Sequence, residues 1–117
     1  MAVNVQDTAL ALEKMIRESA EYNQLKEEYA RVFEEEATKN LFNNFRNIQL
    51  QLQEKQMTGQ PISEEEVQEA QKVVAIVQQN PTIVKLMEAE QRMSSLIAEV
   101  NKIVMRPLEE MYSTQMN

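Results

Sequence analysis

The amino-acid sequence predicts an all-α fold, an elongated antiparallel helical hairpin or bundle of about five helices that oligomerises. Three observations carry this. A single Gly and three Pro in 117 residues leave few places for a sharp turn, whereas a β-rich chain needs many turn residues. Apolar residues recur three and four positions apart over long stretches, the period of one helix face. Thr58, Gly59, Gln60 and Pro61 form the one clear turn, with seams of apolar residues on either side. Hydrophobic residues make up 43% of the chain, enough for a core, but aromatic residues only 5% with no Trp. The core is therefore expected to be aliphatic, with eight Met to fill irregular gaps or form adaptable surfaces. The length suits one helical domain over residues 1–117.

The first elements are N-terminal helices over about residues 5–33. Asn4 is a candidate N-cap with Asp7 in the first turn, and Val5, Ala9, Leu12 and Ile16 mark one face. Ser19 can cap a second helix, on which Tyr22, Leu25, Tyr29, Val32 and Phe33 form the apolar stripe. Glu34, Glu35 and Glu36 come next with no breaker behind them, so helix either continues or resets there.

The long hairpin is expected over about residues 36–106, with its turn at 58–62. Leu41, Phe45, Ile48 and Leu52 form its first seam, with spacings 4, 3 and 4. Gly59 and Pro61 make the turn. Ser63 and Glu66 have capping-box spacing, in which the hydroxyl accepts from the Glu66 amide and the carboxylate from that of Ser63. Val67, Ala70, Val74 and Val77 then outline a short helix. Asn80 is placed to cap the last helix, with Pro81 at its first position, where a missing N–H costs nothing.

That last helix carries the strongest pattern. Leu86, Ala89, Met93, Leu96, Val100 and Ile103 recur at spacings 3, 4, 3, 4 and 3, a heptad seam that needs a partner helix. Leu96 is expected to be buried at its middle. Antiparallel pairing of the two seams across Gly59 is the predicted hairpin. A flanking column reads Ile83, Glu90, Ile97, Val104. A third apolar column implies a second neighbour, so association with itself, as a homodimer or higher, is expected. Pro107 disfavours helix at Arg106, so the helix is expected to end or kink there, leaving a frayed tail over 108–117.

Composition excludes much chemistry. The chain has no Cys and no His, so it supplies no thiolate ligand or nucleophile and lacks the commonest general base and metal ligand. Glu34 to Glu36 and Glu64 to Glu66 are the carboxylate clusters, but consecutive helical residues point apart, so the reading is solvated or capping carboxylates. A P-loop is excluded by the single Gly. No catalytic, cofactor-binding or metal-binding residue is assigned, and the chain reads as a non-enzyme. A net charge of −7 argues against direct nucleic-acid binding, which depends on neutralising phosphates. Lys85, Arg92 and Arg106 share a column interrupted by Glu99, more in keeping with interhelical ion pairs than with a phosphate stripe. No apolar run approaches the roughly 18–20 residues of a membrane span, and residues 1–15 have no signal-peptide pattern. The expectation is a cytoplasmic protein without membrane insertion.

The segment NLFNNFRNIQLQLQEKQMTGQPISEEEVQEAQ (Asn40 to Gln71), followed by LMEAEQRMSSLIAEVNKIVMRPLEEMY (Leu86 to Tyr112), resembles the YlbF/YmcA-like (Com_YlbF) family of Firmicutes, and within it the YheA branch. The resemblance covers nearly the whole chain. It implies an all-α, oligomerising, cytosolic and non-enzymatic protein that acts as a regulatory adaptor on other proteins. It also implies a connection with a complex that alters messenger-RNA processing, so that an RNA-associated factor is the alternative reading. The iron–sulfur clusters associated with that complex do not carry over, because this chain has no Cys. No functional residue transfers, since the matching positions are helix-packing and turn residues.

Overall fold

The structure, a computed structural model, describes residues 4–116, with the side chain of Met116 left aside. It contains five helices and, among the described residues, no strand: α1 (Val5–Arg17), α2 (Ala20–Glu34), α3 (Glu36–Thr58), α4 (Glu64–Gln78) and α5 (Pro81–Met116). They group into two compact units, one of Lys26–Glu88 and the other of the described parts of Met1–Leu25 and Ala89–Asn117.

Each boundary has a local cause. Asn4 Oδ1 accepts from the Asp7 amide at 2.7 Å and starts α1. Ser19 separates α1 from α2 by accepting from the Tyr22 amide at 3.2 Å while its hydroxyl donates to the Ile16 carbonyl at 2.6 Å. Glu35 adopts an extended conformation (φ −107°, ψ 124°) with no side-chain cap, so the helix resets inside the acidic run. Gly59 stops α3 with φ +72°. Its amide and that of Gln60 donate to the carbonyls of Gln56 and Lys55, the paired bonds of a Schellman motif. Asn80 Oδ1 accepts from the Ile83 amide at 3.1 Å and opens α5.

In the unit of Lys26–Glu88 the core is built from Val32 of α2, Phe42 and Phe45 of α3, Val73 and Val77 of α4, and Ile83 and Leu86 of α5, all buried. The helix packed on α3 across the Gly59 turn is α4. The expected hairpin paired α3 with the last helix instead. The Ser63 capping box restarts helix within five residues of Thr58, so the first segment able to fold back is α4, and a connection this short makes the two antiparallel neighbours. The buried face of α4 is Val73 and Val77, whereas Val67 and Val74 of the expected stripe are exposed. In the other unit, Leu12 and Ile16 of α1 and Met93, Leu96 and Val100 of α5 are half-buried, while Ala89 is buried.

The end of the last helix also departs from expectation. α5 does not stop at Arg106 but runs through Pro107 to Met116, 36 residues in all, or about 54 Å of helix. No frayed segment begins at 108. Proline removes one backbone hydrogen bond, the one to the carbonyl four residues earlier. That carbonyl belongs to Ile103, which is exposed like every residue from Asn101 to Gln115. Water can satisfy it there, so the helix survives the loss.

Candidate interaction surfaces

Four local arrangements set the surface chemistry. The first is the turn between α3 and α4. The capping box is closed in both directions: the Glu66 amide donates to Ser63 Oγ at 3.1 Å and the Ser63 amide to Glu66 Oε1 at 3.4 Å. The same carboxylate receives Lys55 Nζ of α3, at 2.5 and 2.6 Å to its two oxygens. Glu66 therefore both starts α4 and ties it to α3. The Lys55 hydrogen bond, with smaller help from Ser63 and from the lysine charge, holds the Glu66 carboxyl below the usual carboxylate range. Pro61 stands exposed in the connection, where it donates nothing and constrains the loop.

The second is an aromatic cluster. Tyr29, Phe33 and Phe42 lie with ring centroids 5.9 to 6.3 Å apart, two of the three contacts edge-on, the arrangement that ring quadrupoles favour. The Arg46 guanidinium stands 5.3 Å from the Phe42 centroid and 5.9 Å from that of Tyr29, close enough for cation–π attraction. Beside it, Glu28 is 2% exposed and accepts from Arg31 Nη1 at 3.1 Å. The heptad count from Leu41 passes over Phe42. Phe42 belongs to the adjacent row Thr38, Phe42, Phe45, the three buried residues of α3.

The third is an open groove between α3 and α4 of about 420 Å³, lined by Leu52, Ile62, Val67, Ala70 and Val74 with Gln56, Gln71 and Gln78 around them. It is apolar with an amide rim. It also explains why Leu52 is half-buried and why Val67 and Val74 are not core residues.

The fourth is α5. Its predicted seam is covered in part: Leu86 is buried, Met93, Leu96 and Val100 are half-buried, and Ile103 is exposed. The expectation that Leu96 is buried does not hold within this chain. In the flanking column Ile83 is buried, Ile97 sits at the margin of exposure, and Val104 is 61% exposed. Met105, Leu108, Met111 and Tyr112 extend this uncovered face. On α3, Leu41 and Ile48 are half-buried and Phe45 is buried.

Among the described residues, no group of three acidic side chains is placed to hold a metal ion, and no helix is long and apolar enough to cross a membrane. What the surface offers is apolar side chains, amides and solvated charge on a helical frame, the chemistry of helix–helix recognition. These features define an all-α packing protein. The chain belongs to the YlbF/YmcA family, described as control of competence regulator ComK, whose model matches residues 5–109.

The UPF0342 protein YheA of Bacillus subtilis is 55% identical over 114 residues, covering 97% of each chain. A solved structure of a protein of unknown function (DUF964) from Bacillus stearothermophilus superposes with a TM-score of 0.83 at 45% identity, over 92% of this chain and 95% of that one. Bacillus subtilis RicA, solved in complex with RicF, shares the fold at 21% identity with a TM-score of 0.67, over 96% and 99% of the two chains.

Proposed function

We propose that this chain is a non-enzymatic regulatory adaptor that works by presenting helix faces to other proteins and to itself. The observation that carries the reading is the second half of α5, where apolar side chains recur on a helix exposed over its whole circumference from Asn101 to Gln115. An exposed helix of this length is marginal in water by itself, and its apolar face has a use once a partner covers it. The amide-rimmed groove between α3 and α4 adds a second face of the same chemistry. RicA, of the same fold, was solved with a protein partner, and the family is described by regulatory control; both support an adaptor.

Affinity capture from the native host, followed by mass spectrometry, tests the adaptor role. The expected outcome is a defined protein partner recovered in proportion to the bait. Recovery of the chain alone, under conditions that preserve known complexes, defeats the reading. Direct contact with RNA is opposed by the net charge of −7. Ultraviolet crosslinking is expected to recover no more RNA than a non-binding control.

A further inference from the structure

We infer that the groove between α3 and α4 is an unfilled helix-packing site for an amphipathic helix of a different protein. That helix is uncharged along its apolar stripe and carries Lys or Arg about two turns beyond it. This rests on the adaptor reading above and gives one of its faces a partner of stated chemistry.

The shape of the groove selects a helix. Val67, Ala70, Gln71 and Val74 of α4 line it at i, i+3, i+4 and i+7, and Gln71, Val74, Ala75 and Gln78 repeat that spacing four residues on. Four residues so placed form the hole that receives one knob side chain of a facing helix. The α4 wall is therefore two consecutive holes that share Gln71 and Val74. Both stand open in this chain: Val67 is 41% and Val74 38% exposed, and Gln71, Ala75 and Gln78 are exposed as well. α4 meets the core of its own unit through Val73 and Val77 instead. Each hole contains one Ala, at 70 or 75, which leaves depth for a large aliphatic knob. Leu52, Gln56 and Ile62 form the opposite wall. The two holes lie about 6 Å apart along the axis, the separation of two knobs four residues apart on a partner helix. From Val67 to Gln78 the wall runs about 16 Å, so three turns of helix fill it. An extended peptide needs a sheet edge for its backbone, and the described residues form no strand; a helix satisfies its own backbone.

Charge selects which helix. Every residue lining the groove is uncharged, so a charged side chain laid on its floor would lose water and gain no counterion. At the lip stands Glu64, exposed and one heptad before Gln71 on the same column. Glu66 already holds Lys55, so Glu64 and Glu65, in the first turn of α4, leave this end of the groove negative. Complementarity places a Lys or Arg of the partner here, about 10 Å or seven residues from the nearer knob. A second copy of this chain has the wrong sign, since both would carry the net charge of −7, and like charges oppose association.

The probe is a helical peptide of about 19 residues in an Ala/Gln background. It has two Leu four positions apart and a Lys seven positions outside each, so that either direction of docking is served. Fluorescence anisotropy with the full-length chain is expected to show saturable binding with Kd below about 1 mM. Replacing both Leu of the peptide with Gln, or Val74→Asp in the protein, should each weaken binding roughly tenfold. Glu64→Lys should weaken binding of the Lys peptide roughly threefold, and should bind a Glu-for-Lys peptide better than wild type does. No saturation, equal binding of the Leu-free peptide, or an unchanged affinity in Val74→Asp overturns the inference. Loss of binding in Leu108→Asp also overturns it, because the peptide then sits on α5. If circular dichroism shows Val74→Asp unfolded, the charge swap at Glu64 decides alone, and unswapped preferences overturn the inference. A Val74→Asp chain that sediments as a smaller assembly than wild type assigns the groove to a second copy, with the same result. Capture from the native host separates this inference from the adaptor reading. A partner held equally by wild type and Val74→Asp leaves the adaptor role standing and overturns the groove assignment. A peptide that binds as expected, with no partner captured, sustains the groove and defeats the adaptor role.

Discussion

Ile83, Leu86 and Ala89, in the first turns of α5, are 0% exposed, whereas Ile103, Val104 and Met111, further along the same helix, are more than half exposed. Both stretches have aliphatic residues at helical spacing, and no breaker separates them. The difference is what lies beside them. Ile83 and Leu86 complete a core with Val32, Phe42, Phe45, Val73 and Val77, while the second stretch is left uncovered within this chain. Periodicity therefore marks which side of a helix seeks a partner, and packing decides how much of that side the chain covers itself.

The largest test of this contrast is Phe42→Ala. Phe42 is 2% exposed and touches two other rings and a guanidinium. Removing a buried Phe typically costs about 3–5 kcal/mol, a large share of a small domain's stability, and chemical denaturation should show a loss of that order. If Phe42→Ala unfolds at the wild-type denaturant midpoint, the aromatic cluster is not part of the core.

A matched pair then addresses α5 itself. Leu86→Ala should cost about 2–5 kcal/mol, whereas Leu108→Ala should stay within about 0.5 kcal/mol when unfolding is followed at dilutions that dissociate any dimer. Equal effects would abolish the distinction between the two stretches.

A smaller effect is expected at the turn. Gly59 has φ +72°, and a Cβ placed there meets open space, so Gly59→Ala carries only the cost of a left-handed backbone, about 1 kcal/mol. Calorimetry that finds Gly59→Ala as stable as wild type would show that the α3 terminus relaxes out of this conformation. The smallest effect is at Glu66. Its carboxyl titrates lower in the folded chain than is usual, so its contribution is complete above the ordinary carboxylate pKa and disappears as pH falls through the lowered folded value. Glu66→Gln should lower the neutral-pH Tm by only a few degrees, and the gap to wild type should close in acid. A gap that persists below the folded pKa would mean that lost packing, not charge, is responsible.

Much of the local structure was legible because its causes lie within a few residues. Asn4, Ser19, Ser63 and Asn80 each take an amide three positions ahead, and Gly59 supplies a conformation that other residues resist. The reset at Glu35 has no comparable signal, because its side chain caps nothing. The choice between Leu41 and Phe42 as the inward residue of α3 was not legible either, since two interleaved rows satisfy the helical period and only packing selects one. The same ambiguity hid the inward face of α4, where valines at 73, 74 and 77 cover more than one side of the helix.

By itself the sequence determined an all-α chain, the starts of α1, α2, α4 and α5 and the Gly59 stop, the absence of Cys and His chemistry, and the family to which it belongs. Those depend on short-range hydrogen bonding, backbone sterics and residue identity, all written locally. The tertiary structure alone decided that α4 covers α3, that α5 continues through Pro107, and that the apolar stripe of α5 is covered at one end and bare at the other. Burial depends on which elements meet in space and how far each reaches, and helical spacing carries neither.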